Sequence, residues 1–184
     1  MSVSWAFRDE ANDIARRVRR ELRLLESAPL NSFRLAEHLC IPVLSVAELY
    51  LQLPHLVPPD DNRYRIGFSA VTVFHGCERL IVHNEHHERP RQHSNIAHEL
   101  AHALLLHEPH QPFDEDGIRT FDAQMEAEAH WLGPALLVSE QAAISIVRRG
   151  ISIKEAMDEY EVSEELMRFR LNVTGARKRG ARSA

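Results

Sequence analysis

The sequence predicts an α+β fold: a small antiparallel sheet packed on a mostly helical domain, with a C-terminal helical extension. Three observations carry this. Apolar residues recur at helical spacing through most of the chain. Only the region 64–83 is dense in β-branched and aromatic residues, with a glycine turn in its middle. The 184 residues are 44% hydrophobic and 27% charged, the balance of a soluble globular protein with a sizeable core.

Residues from about Arg8 to Glu26 read as a first helix, with Ala11, Ile14, Ala15, Val18, Leu22 and Leu25 on one face. Arg16, Arg17, Arg19, Arg20 and Arg23 lie on the other, interleaved with acids, and are expected to be solvated. Pro29 breaks the helix, and Asn31 or Ser32 can cap a short second one. Ile41 to Leu44 reads as an edge strand, because Pro42 cannot donate to a ladder. A third helix is expected over Val46 to Leu53, and a loop over 54–62. Tyr64 to Phe74 and Arg79 to His83, joined through Gly76-Cys77-Glu78, read as a hairpin. Pro90 falls where a long apolar helix can begin. A polar loop (108–120) leads to a helix over Phe121 to Leu137, and Ser139 to Arg149 follows, ended by Gly150. Ser152 and Ser163 can cap two more helices.

One stretch carries recognisable chemistry: His98-Glu99-Leu100-Ala101-His102, or H-E-x-x-H. Residues four apart share a helix face, so His98 and His102 can aim their imidazoles at one zinc ion (Zn2+). Glu99 flanks that face, where its carboxylate can take a proton from a water activated by the metal. The helix is apolar nearly all round, so it should be buried, and two buried imidazoles need partners.

A catalytic zinc needs a third protein ligand and an open fourth position. The next acid-rich helix offers Glu126 and Glu128, which point in different directions. Glu126 shares a face with Ala129, His130 and Gly133, and the small residues among them, Ala129 and Gly133, would let two helices approach closely. Glu128 lies nearer the polar side. Periodicity favours Glu126 and leaves the choice open.

These residues resemble the ImmA/IrrE-type zinc metallopeptidases. The resemblance covers most of the chain: the N-terminal helices, Ile81-Val82-His83-Asn84, Arg91-Gln92-His93, the H-E-x-x-H with Leu104-Leu105-Leu106-His107, and Glu126-Ala127-Glu128-Ala129. It implies a zincin-like domain with His98, His102 and Glu126 as zinc ligands and Glu99 as catalytic base. It also implies an endopeptidase that cuts a regulatory protein, with a helix-turn-helix transcriptional repressor as the expected partner. Three features depart from the family pattern. His130 stands where asparagine or aspartate is usual, as a neighbour that hydrogen-bonds the ligands or as an extra ligand. Gly133-Pro134 interrupts a helix that is usually continuous. Ser139 replaces a usual proline. The alternative function is a zinc-containing regulatory protein that binds a repressor or DNA without cutting it.

The resulting organisation is a metallopeptidase domain (1–138), a helical extension packed on it (139–175) and a basic flexible tail (176–184). Residues 156–171 resemble the second half of a helix-turn-helix, but Glu164 and Glu165 open the would-be recognition helix and should repel phosphates. With a net charge of −5, direct nucleic-acid binding is not expected. No apolar run reaches membrane-spanning length, so no membrane partner is expected. The two cysteines, Cys40 and Cys77, form no framework, read as small buried apolar residues, and fit a cytoplasmic location. His83, His86, His87, His93, His107 and His110 crowd around the metal helix in sequence. They read as exposed, with His93 as a neighbour of the ligands. His93 and His130 are also weak candidates for stabilising an oxyanion. Oligomeric state is not encoded in any of these patterns.

Overall fold

Ser4 opens the first helix, α1 (Trp5–Glu21), by accepting from the Phe7 amide. The computed structural model describes residues 3–53, 55, 68–76, 78–108 and 122–180. Nearly all of the loops expected at 54–62 and 108–120 lies outside the described residues, as do Tyr64, Cys77, His110 and Phe121. α1 ends five residues earlier than its apolar periodicity suggests. Arg23 adopts a left-handed φ of 56°, the Leu24 amide reaches the Arg19 carbonyl at 2.8 Å, and the Arg23 amide reaches that of Arg20 at 3.0 Å. This double bond pattern closes a helix by satisfying its last carbonyls.

Asn31 caps α2 (Ser32–His38), accepting from the Phe33 and Arg34 amides. Strand β1 (Val43–Ser45) runs into α3 (Val46–Gln52), where Ser45 and Glu48 form a reciprocal capping box. β2 (Ala70–His75) and β3 (Glu78–His83) form the expected hairpin, with Gly76 at φ 61° in its turn. The long helix α4 (Arg89–Leu104) follows, with Pro90 in its first turn. Then come α5 (Ala123–Leu137), α6 (Glu140–Arg149), α7 (Ile153–Tyr160), α8 (Glu164–Val173) and α9 (Ala176–Gly180).

The sheet order is β1-β3-β2. β2 and β3 are antiparallel, with Val71 opposite Val82. β1 takes an edge as expected but lies parallel to β3, with Leu44 opposite Val82. The sheet is therefore mixed rather than wholly antiparallel. β1 does not pair with the next strand in the chain, β2, but lies beside β3, the second strand of the hairpin, which runs in the same direction as β1.

α4 lies between two apolar clusters. Ile96, Leu100 and Ala101 pack with α1, α2 and α5, while Ala97 faces α6, α7 and α8. The C-terminal helices are thus packed on the helix that carries the H-E-x-x-H, with Met167 and Leu171 buried. α5 continues through Pro134 to Leu137, so Gly133-Pro134 does not interrupt it. The Val138 amide still bonds the Pro134 carbonyl at 2.9 Å. Proline costs the helix only the bond its own missing N–H would have made. Ser139 caps α6 and donates to the Glu26 carbonyl, tying this junction to the segment after α1.

Four expectations fail here. Arg19 is fully buried, not solvated: its guanidinium donates to the carbonyls of Ala15, Ala28, Leu136 and Leu137. Arg170 is likewise buried and bonds the Val138 carbonyl at 2.8 Å. Two guanidiniums therefore cap the negative end of α5, and burial lowers each to a pKa of about 10. Cys40 is exposed, because it occupies the left-handed turn after α2 with φ 55°. His83 and His107 are buried, one by its strand and one by a turn described below. The segment expected as a flexible tail begins as helix α9, which packs on α6 with Ala176 buried and Arg179 paired to Glu140. Among the described residues, no helix is long and apolar enough to cross a membrane.

Candidate metal centre

α4 and α5 make the most extensive helix pairing of the fold. Their close approach follows from small residues: Ala129 and Gly133 are buried on the α5 face that carries Glu126. A Cβ at Gly133 would lie 3.3 Å from both the Cα and the N of His98. A side chain there would push the two backbones a few tenths of an ångström apart, seven residues, or about two turns, along α5 from Glu126.

At this contact His98, His102 and Glu126 converge, with one ligand atom from each within 4.8 Å of the others. His98 Nε2 lies 3.2 Å from His102 Nε2 and 3.2 Å from Glu126 Oε2. His102 Nε2 lies 3.5 Å from Glu126 Oε1. Donors about 2.0–2.1 Å from a tetrahedral metal sit roughly 3.3 Å apart along the edges of the tetrahedron. The imidazole–imidazole separation matches such an edge, and each imidazole faces one oxygen of the same carboxylate at a similar distance, so these residues could hold a divalent metal ion. All three side chains are half-buried rather than enclosed, which leaves the site open on one side.

Glu99 follows His98 on α4 and is half-buried. Its Oε2 accepts from Thr72 Oγ1 of β2 at 2.6 Å, the length of a charge-assisted bond. Thr72 gave no signal in the sequence, since nothing local shows which strand residue faces α4. The alternation along β2 places Ala70, Thr72 and Phe74 inward and Val71 and Val73 outward.

His130 is exposed beside His98, the ring centroids 6.5 Å apart in an edge-on arrangement. His93 is buried elsewhere, about 140° around α4 from His98. Its Nδ1 meets Ser32 Oγ at 2.8 Å, its Nε2 lies 3.1 Å from Glu161 Oε2, and Phe33 packs edge-on against its ring. Burial holds its pKa below the usual imidazole value, partly offset by Glu161. Burial likewise lowers that of His83.

Behind His102 stands a residue read as exposed from the sequence. His107 Nδ1 meets His102 Nδ1 at 2.9 Å, and His107 Nε2 meets Glu128 Oε2 at 3.1 Å. Glu128 thus has a place at the site although it does not join the triad.

No match is found among curated proteins. The family model described as the IrrE N-terminal-like domain, a peptidase family, matches residues 59–172. That span is more than half of the chain and includes α4, α5 and every residue of the centre. The chain therefore belongs to the IrrE N-terminal-like peptidase family.

Proposed function

We propose that the chain is a zinc-dependent endopeptidase whose substrate is a regulatory protein, a helix-turn-helix transcriptional repressor. The observation that carries this reading is the convergence of His98, His102 and Glu126, with Glu99 next to His98 on the same helix. His98 Nε2, His102 Nε2 and a Glu126 oxygen would hold the zinc. Bound there, zinc would polarise a peptide carbonyl and acidify a water in the open position. Glu99 is the general base: its carboxylate takes the water's proton and returns it to the leaving nitrogen. Thr72 holds that carboxylate through one oxygen and leaves the other for the proton. β2 is at an edge of the described sheet, so an extended substrate segment can align along it by main-chain hydrogen bonds.

The test uses zinc-loaded wild type and Glu99→Gln with a repressor encoded next to this chain, with and without chelator. The reading expects fragments from the wild type alone, abolished by chelator, and undiminished zinc in the variant. Fragments from zinc-loaded Glu99→Gln would refute the role of Glu99. A stable complex with no fragments would favour a regulator that binds without cutting.

A further inference from the structure

The last turn of α4 closes on His107. The helix ends with Leu105 as its cap and Leu106 in the left-handed region at φ 55°. The Leu106 amide bonds the Ala103 carbonyl at 3.2 Å, and the His107 amide bonds the His102 carbonyl at 3.0 Å. This pair of bonds brings the side chain two residues past the cap against the one three residues before it, usually as an apolar contact. Here the two side chains are His107 and His102, with ring centroids 4.9 Å apart. A leucine in the left-handed region is strained by the approach of its Cβ to the following carbonyl oxygen, and Leu106 is 79% exposed, so it recovers little by burial. The turn is maintained at a local cost, and it seats a buried imidazole against a metal-site residue.

We infer that His107 and Glu128 are positioning residues that fix the ring and tautomer of His102 for metal binding. This rests on the metal-centre reading above. The direction of the hydrogen bonds follows from the chemistry of each partner. Ionised Glu128 only accepts, and its other oxygen, Oε1, already takes a bond from Gln124 Nε2 at 3.0 Å. His107 Nε2 therefore carries the hydrogen toward Glu128. In a neutral ring Nδ1 is then an acceptor, so His102 Nδ1 carries the hydrogen between the two rings. The lone pair of His102 is left on Nε2, the atom that faces His98 and Glu126. Metal-binding histidines commonly have their far nitrogen held by a carboxylate or carbonyl. In this chain a second histidine carries that hold across from the other helix. Glu126 and Glu128 then grip His102 from opposite sides, one at Nε2 and one through His107 at Nδ1. Together they set the rotation of α5 against α4.

The experiment measures Zn2+ affinity of the metal-free protein by competition with a chromophoric chelator, the visible spectrum of the Co2+ form, and the Tm of the metal-free protein. The variants are His107→Phe, His107→Asn, Glu128→Ala and the His107→Asn/Glu128→Ala double variant. His107→Phe and Glu128→Ala should each lose about 10–100-fold in affinity and alter the Co2+ spectrum. Asparagine can place Oδ1 where the ring had Nδ1, so His107→Asn should recover most of the affinity. In that background Glu128→Ala should cost nothing further. Wild-type affinity in His107→Phe, or in Glu128→Ala should the Phe variant not fold, would overturn the relay, as would no recovery in a folded His107→Asn. Failure of the wild type to bind either metal would instead overturn the metal-centre reading beneath it.

Discussion

Gly133 of α5 rests directly on the backbone of His98, so close that a single added carbon would stand 3.3 Å from the His98 Cα and N. The neighbours are main-chain atoms of a buried helix, which cannot turn aside as a flexible side chain would. The absence of a Cβ at Gly133 therefore lets the helix contact that presents Glu126 to the two imidazoles close by a few tenths of an ångström more.

Gly133→Ala should move α5 away from α4. Overpacking of this kind costs about 1–3 kcal/mol, against the small gain alanine brings to a helix. Thermal unfolding of the metal-free variant should shift down, and Zn2+ affinity should fall because Glu126 withdraws from His98. A variant as stable and as tight as wild type would show that the close approach is not needed.

Thr72→Val keeps the shape of the strand residue and removes the hydroxyl that Glu99 accepts from. One charge-assisted hydrogen bond contributes about 1.5–3 kcal/mol, so the loosely held base should lower kcat roughly tenfold or more with KM little changed. Steady-state kinetics on a cleavable substrate check this. A rise in KM at constant kcat would place Thr72 in substrate binding instead.

Arg19→Met tests the buried guanidinium under α5. Among the described residues its partners are all backbone carbonyls, with the shortest bond, 2.8 Å, to Leu136. Methionine fills much of the space but leaves those carbonyls without donors, at an expected cost of about 2–4 kcal/mol in chemical denaturation. Unchanged stability would mean that burying this charge offsets all that its hydrogen bonds contribute.

His93 sets a pH dependence. Burial lowers its pKa from the ordinary 6.5, with the Arg89 charge adding to this and Glu161 opposing it. A depressed imidazole binds fewer protons in the folded state than in the unfolded state. Its contribution is therefore complete above pH 6.5 and is lost as the pH falls toward the folded value. The stability advantage of wild type over His93→Gln should shrink between about pH 8 and pH 5. An advantage that grows on acidification would mean the ion pair with Glu161 outweighs burial.

The parts of this arrangement that were legible in the sequence are those set by short-range periodicity. His98 and His102 lie four apart on one helix, and the small residues Ala129 and Gly133 marked the face that carries Glu126. The hairpin followed from β-branched runs around Gly76. The helix capped by Ser163 followed from its cap and apolar spacing. What stayed hidden depends on distant partners or an uncommon turn. Arg19 reads as solvated by pattern, yet it bonds a carbonyl 117 residues away. His107 reads as exposed, because leucine at position 106 gives none of the signal that glycine gives at a left-handed helix end. β1 reads as an edge strand, but nothing local shows that it pairs with β3 rather than β2, and that choice makes it parallel.

Zinc K-edge X-ray absorption on the purified protein tests the metal centre most directly. The expected result is one zinc per chain in a nitrogen and oxygen shell at about 2.0–2.1 Å, with the scattering of two imidazoles, and loss of that shell in Glu126→Ala and His98→Ala. A zinc-free protein that cannot be loaded, or a shell unchanged in both variants, would contradict a metal held by His98, His102 and Glu126.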